Sequence, residues 1–300
     1  MLAGITPKDN REWQATSGLD NQCFANLLSL TESSQLTLAG KSYEQVVSES
    51  PQPIKPKLTT LDSLIFYTLF VLKTGIAFDV AAFVVQFDQS RAHRQFQRGL
   101  RLIHHALEVE GYMPVRSISN PEEFRQIIEP DTPIIIDATE QPIQRPLDRE
   151  HQKEANSGNE KHHTHKSMII STMDRYIHYV SNSYVGSIHD YSLLKEEFDP
   201  QQNWFKDYPV RLDLGYQGFQ KDYPMASTYL PQKKPKGGQL TEEQKQRNRE
   251  LATERIKVEH AVRGIKRYDI VSSASRIHNI DTYDMMTGTC AALWNFFITR

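Results

Sequence analysis

The chain has 300 residues, 38% hydrophobic and 24% charged, with 35 Lys plus Arg against 37 Asp plus Glu, a formal charge of −2. That balance excludes a disordered tail, a collagen-like repeat, a polytopic membrane protein and a protein that coats polyanions indiscriminately. The most apolar stretch, Leu64 to Leu72, is closed by Lys73 and falls well short of the ~20 residues a bilayer span needs.

The opening residues MLAGITPKDNREW contain no basic run followed by an apolar one, so the chain is expected to stay inside the cell. Its two cysteines, Cys23 and Cys290, are too few and too far apart for a disulfide framework or a zinc site, and are expected to be buried thiols. Residues 1 to 50 are weakly periodic and acidic in balance, and PQPIKPK at 51 to 57 reads as an extended linker with a boundary near 57.

Residues 58 to 74 follow as a helix, with apolar positions at Leu61, Leu64, Ile65, Leu69 and Leu72 and a stop at Gly75. DVAAFVVQF makes a short second helix, and Asp88 with Ser90 opens a third that runs to about Glu108. On the third, Arg91, Arg94, Arg98 and Arg101 are spaced 3, 4 and 3, which lines four guanidiniums along one side. That stripe faces either a polyanion or water. The helices fit a helix-turn-helix module whose second helix enters a DNA major groove, and they fit a plain three-helix packing unit as well.

From Pro130 the pattern changes to strands, at 132 to 139, 165 to 173, 176 to 186, 210 to 215 and 226 to 232, with a helical stretch around 191 to 198. A long helix then begins at Thr241 as N-cap, with Glu243 or Gln244 in its first turn, and runs to about Tyr268. Together these predict a mixed α/β domain. From Lys233 to Tyr268 eleven cations face five acids, a local balance of +6; a solvated helix face or a phosphate contact accounts for it.

Three acids stand out. The run Ile134, Ile135, Ile136 predicts a strand covered on both faces, and Asp137 is expected at its end, where a carboxylate must be paired, hydrogen-bonded or metal-bound. Asp213 repeats the pattern after Val210 and Leu212, ahead of the turn-forming GYQG. Glu259 lies on the last helix beside an apolar stripe of Leu251, Val258, Val262 and Ile265, with Arg255, Arg263 and Lys266 for neighbours. Packed against the sheet edge near the two aspartates, that helix would complete a hard oxygen site for Mg2+ or Mn2+, its cations meeting phosphates. The plainer reading gives Asp137 to a turn, Asp213 to its glycine-rich loop and Glu259 to pairs with Arg255 and Arg263. Asp190 is either a supporting acid or a helix N-cap. His151, His162, His163 and His165 sit in a polar loop where phosphate contact or solvation is expected rather than zinc. Trp204, Trp294, Phe296 and Phe297 are expected in the core.

The words around these acids carry a resemblance. PIIIDATEQPI, VRLDLGYQG and RIKVEHAVRGIKRY resemble the three motifs of DDE transposases, those of the bacterial insertion-sequence family numbered five and their Harbinger-type relatives. SGNEKHHTHKSMIIS, GSIHDYSLL and LPQKKPKGGQLTEEQKQRNR are similar to further segments of that family, and residues 58 to 110 to the helix-turn-helix preceding its catalytic domain. One departure is Ala252, where related enzymes often carry Tyr.

The resemblance covers roughly residues 57 to 298. It implies an N-terminal segment and linker at 1 to 56, a helix-turn-helix DNA-binding region at 57 to 112 and a ribonuclease-H-like catalytic domain at 130 to 300. Asp137, Asp213 and Glu259 are then catalytic metal ligands, for Mg2+ or Mn2+ and two ions, and Arg91, Arg94, Arg98, Arg101, Arg255, Arg263 and Lys266 are DNA contacts. The activity implied is cleavage of double-stranded DNA at transposon ends and strand transfer, by a homodimer in the cytoplasm, associated with the nucleoid and with no membrane partner. A silent DNA-binding descendant and a non-transposing nuclease of the same fold are the alternatives.

Overall fold

The computed structural model describes all residues except 1, 3–5, 50–57, 159, 236, 276 and 278. The expected linker at 51 to 57 and Lys236 therefore lie outside the described residues. The chain forms two compact units, one made of residues 1–113 with 265–300 and the other of residues 114–264. No helix among the described residues is long and apolar enough to cross a membrane.

The helical unit begins with α1 (Asn10–Ser17), α2 (Asn21–Ala39), α3 (Tyr43–Glu49), α4 (Leu61–Thr74), α5 (Phe78–Val85) and α6 (Gln89–Val109). Asp9, Asp20 and Asp88 each start a helix by accepting a backbone N–H with the side-chain carboxylate. Gly75 ends α4 with φ 58°, in the left-handed region that favours glycine. Three helices stand where weak periodicity predicts none. The core side of α2 is the reason, because it carries Thr31, Ser34 and Gln35 beside Phe24 and Leu27. Each polar group there has a partner: Thr31 donates to the Leu28 carbonyl, Ser34 shares a hydrogen bond with His105, and Gln35 donates to the Lys41 carbonyl.

The second unit contains α7 (Pro121–Ile127), β1 (Ile134–Pro142), α8 (Arg149–Ala155), β2 (Thr164–Thr172), β3 (Ile177–Val180), β4 (Tyr184–Val185), α9 (Asp190–Glu197), β5 (Pro209–Arg211), α10 (Phe219–Asp222), β6 (Ser227–Tyr229) and most of α11 (Glu242–Lys266). The described strands make one sheet in the order β3-β2-β1-β5-β6, with β4 also on β2. β1 is antiparallel to β2 from Ile134↔Thr172 to Pro142↔Thr164, whereas β1, β5 and β6 are mutually parallel. This mixed order, with β2 antiparallel to β1, β3 and β4 and with β5 and β6 parallel to β1, is the ribonuclease-H-like arrangement that the resemblance implies.

Ile134, Ile135 and Ile136 are all fully buried, as a strand covered on both faces requires. One face packs Ile134, Ile136, Met168 and Ile170 against Phe124, Phe198, Phe205 and Tyr208. Asp137 does not end β1, which runs five residues further because its antiparallel pairing with β2 continues to Pro142. Asp213 likewise lies beyond β5, in a 3₁₀ turn whose Gly215 N–H donates to Asp213 Oδ1 at 2.7 Å. The strand expected at 176 to 186 is divided into β3 and β4.

α11 starts with a reciprocal cap: Thr241 Oγ1 accepts from the Gln244 N–H at 3.2 Å, and Gln244 Oε1 accepts from the Thr241 N–H at 2.9 Å. Thr241→Ala is expected to cost about 1 kcal/mol of helix stability. Amide exchange should then accelerate in the first turn of α11 and stay unchanged at Val258; equal protection in both proteins would remove the cap's role.

Two final helices, α12 (Asp269–Ser272) and α13 (Ile280–Ile298), return to the helical unit. By packing, α12 and α13 therefore group with residues 1–113 and not with 114–264. The physical reason is the apolar surface of α13, which buries Met286, Cys290, Leu293 and Phe296 and packs on α6. His104 and Thr289 share a hydrogen bond, and Asn295 donates to the Tyr112 carbonyl. Cys23 and Cys290 are buried free thiols, and Trp204, Trp294 and Phe296 are buried too.

Candidate active site

The sheet register brings two distant aspartates together. Ile135 of β1 pairs in parallel with Arg211 of β5, so two residues further along each chain Asp137 and Asp213 come side by side. α11 reaches the same edge because Glu254 pairs with Arg211, whose guanidinium also covers the Tyr229 ring at 4.9 Å. Asn248 and Gln232 exchange two hydrogen bonds that fix the preceding turn of the helix. The next residue, Arg255, then extends one guanidinium nitrogen to 3.5 Å from Asp137 Oδ2 and 3.9 Å from Asp213 Oδ2.

A third carboxylate stands beside this pair. Asp190 is the first residue of α9, whose N-cap is His189, not Asp190 as one sequence reading has it; the His189 ring nitrogen accepts from the Tyr191 N–H. A Cβ on Gly215 would lie 2.8 Å from Asp213 Oδ1 and 3.6 Å from Asp190 Oδ2, so only the missing side chain leaves open the space between those two acids. On its other oxygen Asp190 takes the Lys166 ammonium at 2.7 Å. Lys166, from β2, is 3% exposed and also reaches the Ile188 carbonyl at 2.8 Å and Glu140 at 3.2 Å.

Electrostatics follow from this crowding. Burial pushes the Asp137 carboxyl up to about 6, Arg255 opposes the rise, and Asp213 and Asp190 add to it. Tyr216 is fully buried, its hydroxyl has no hydrogen-bond partner, and burial with the surrounding Asp137, Asp190 and Asp213 carboxylates holds its phenol well above the usual range. Arg255 Nε is buried without a partner as well.

Glu259, one helical turn beyond Arg255, is exposed, and it is Arg255 that contacts both aspartates. Arg263 is exposed, and Lys266 is the half-buried last residue of α11. On α6, Arg91 lies over the Phe87 ring and Arg98 over the Tyr43 ring, each at 4.5 Å, while Arg94 and Arg101 are exposed. His165 belongs to β2, His151 faces Asp148, and among the described residues no three His, Cys, Asp or Glu side chains stand together as a metal-holding group. Sequence reasoning passes over Lys166, Glu140 and Tyr216. Lys166 stands in the polar opening of β2, between His165 and Ser167, so nothing in its local sequence marks it as buried.

The description "DDE superfamily endonuclease" matches residues 136–295, a segment that begins one residue before Asp137 and contains Asp190, Asp213, Arg255 and Glu259. The chain belongs to the DDE superfamily endonucleases. It is also 32% identical over 186 residues to a protein described as a probable transposase for insertion sequence element IS702 of Microchaete diplosiphon, a match covering 60% of this chain and 62% of that one. The chain thus spans less than two thirds of that relative's length. No solved structure matches it significantly.

DDE endonucleases generally use divalent ions. The Asp137 and Asp213 pair fits such an ion, since its donors are hard carboxylate oxygens that lie close enough to share one guanidinium nitrogen of Arg255.

Proposed function

We propose that this DDE endonuclease is a transposase that cuts double-stranded DNA at transposon ends and transfers the resulting 3′ end into target DNA. The observation that supports it most is the parallel register of β1 and β5, which sets Asp137 beside Asp213 with one guanidinium of Arg255 against both. In this reading Asp137 and Asp213 hold Mg2+ or Mn2+, and Glu259 from the next turn of α11 supplies the third carboxylate. Two such ions would activate the attacking water or 3′ hydroxyl and stabilise the departing oxygen. Asp137 must give up its proton to serve, and burial, which raises its carboxyl to about 6, opposes that. Arg255 neutralises the pair in the free protein, and its planar fork suits a phosphate.

DNA recognition falls to the helices at 57 to 112, read as a helix-turn-helix. Arg94 and Arg101 are its most available cations; Arg91 and Arg98 lean on aromatic rings and reach phosphate from there. Arg263 and Lys266 extend the basic track along α11. A homodimer holding two ends in the cytoplasm, at the nucleoid, completes the proposal.

The test is a nicking assay on an end-containing duplex with Mg2+ or Mn2+, comparing the native chain with Asp213→Asn and Glu259→Gln. Both variants are expected to bind the duplex and leave it uncut. A fully active Glu259→Gln protein would remove that residue from the site. Joining of a pre-cleaved 3′ end separates a transposase from a nuclease that only cuts.

A further inference from the structure

We infer that Asp190 is a supporting acid of the Asp137–Asp213 site, additional to Glu259 and directed toward the pair by the buried ammonium of Lys166. The inference deepens the proposed function and rests on its reading of that pair as a cation site.

Three features carry it. The first is the division of labour within the Asp190 carboxylate. One oxygen is tied to Lys166 at 2.7 Å, and the other is the nearest Asp190 atom to the space that Gly215 leaves open beside Asp213. A carboxylate serving only as a structural salt bridge has no need to present its second oxygen to another acid, because like charges repel.

The second feature is how Lys166 itself is held. Glu140, directly across the β1–β2 ladder from Lys166, takes the ammonium on Oε1 at 3.2 Å and accepts from the Thr164 hydroxyl on Oε2 at 2.9 Å. The Ile188 carbonyl accepts a further bond at 2.8 Å. The ammonium is therefore held by two hydrogen bonds and one further ion pair, and the chain Thr164, Glu140, Lys166, Asp190 fixes the carboxylate's direction. A network of this kind around a ligating group is what sets ligand orientation in cation sites.

The third feature is independent of the acids. The Tyr216 hydroxyl is fully buried with no partner, and Asp137, Asp190, Asp213 and Arg255 are the charged groups around it. A buried donor left without an acceptor is costly unless something else occupies the space it faces. A cation held by Asp137 and Asp213, with a bound water reaching toward Asp190, would give that hydroxyl an oxygen to bond.

Calorimetric titration of Mn2+ into the full chain tests this, alongside thermal melts of each protein. Asp190→Asn, which preserves an oxygen for Lys166, is expected to bind Mn2+ about tenfold more weakly while keeping the native melting temperature. Lys166→Met combined with Glu140→Gln leaves the net charge as it was and Asp190 unanchored, and should weaken Mn2+ in the same direction. Native affinity in Asp190→Asn, with binding lost in Asp137→Asn, would overturn the inference and leave the pair intact. Native affinity in Asp137→Asn would instead remove the cation reading of the pair, and the inference with it. Should Asp190→Asn not fold, Asp190→Ser is read by the same two outcomes.

Discussion

Asp137→Asn is expected to abolish DNA nicking and, at pH 8, to melt several degrees above the native chain. Gain and loss have one cause. The folded carboxyl titrates at about 6 against 3.8 for the free group, so between those values the folded state binds more protons than the unfolded one and stability falls as pH rises. Below about pH 4 native and variant carry the same neutral group and should melt alike. Above pH 6 the native chain carries a crowded anion that the amide lacks. Two pKa units correspond to at most about 3 kcal/mol, and relaxation around Arg255 brings the expected gain to roughly 1–3 kcal/mol, or some degrees at 2–4 °C per kcal/mol. Mn2+ should raise the melting temperature of the native chain and leave the variant's unchanged. A variant no more stable than native at pH 8 would show that the guanidinium fully offsets the crowding.

Gly186→Ala is expected to cost about 1–3 kcal/mol although it adds a single methyl group. A Cβ there would lie 2.1 Å from Thr164 Oγ1, 2.7 Å from the Thr164 carbonyl oxygen and 2.8 Å from the Ala155 carbonyl oxygen. The hydroxyl can rotate; the two carbonyls belong to the first residue of β2 and the last of α8 and cannot. Gly186 also precedes Ser187, whose N–H donates to the Glu154 carbonyl, and the short loop then enters α9 at Asp190. The strain therefore lands on the segment that carries Asp190. Urea unfolding should show a lower midpoint at an unchanged slope. Gly158→Ala, with nothing within 4 Å of its Cβ, serves as the neutral comparison; equal midpoints for the two variants would mean that the loop yields freely.

Much of this was readable beforehand where local chemistry and burial agree. The isoleucine run of β1, the stop at Gly75, the Asp88 start of α6 and the Thr241 cap of α11 all follow from short-range rules, and they stand where those rules put them. Helices α1 to α3 are hidden because polar side chains with private partners face the core and erase the apolar period. The site is legible as a set of words and not as a geometry. Nothing local in Asp137 or Asp213 announces that β1 and β5 are parallel neighbours in the register that aligns them. The Lys166–Asp190 pair spans 24 residues and two elements, so neither residue's surroundings in sequence name the other. Glu259 shows the opposite limit: its position on α11 follows from the helical repeat, but the residue a turn earlier is the one that meets the aspartates.

The sheet-bearing unit is completed by residue 264, while the helical unit needs residues on both sides of it in the chain, 1–113 and 265–300. During synthesis, which proceeds at about 5–20 residues per second, the strands and the long helix that surround the acids are all available before α13 exists. Helices made first must wait, with the α6 surface that α13 covers still bare, until the last segment arrives to shield it. Translation thus finishes the half proposed to cut ahead of the half proposed to choose where it cuts.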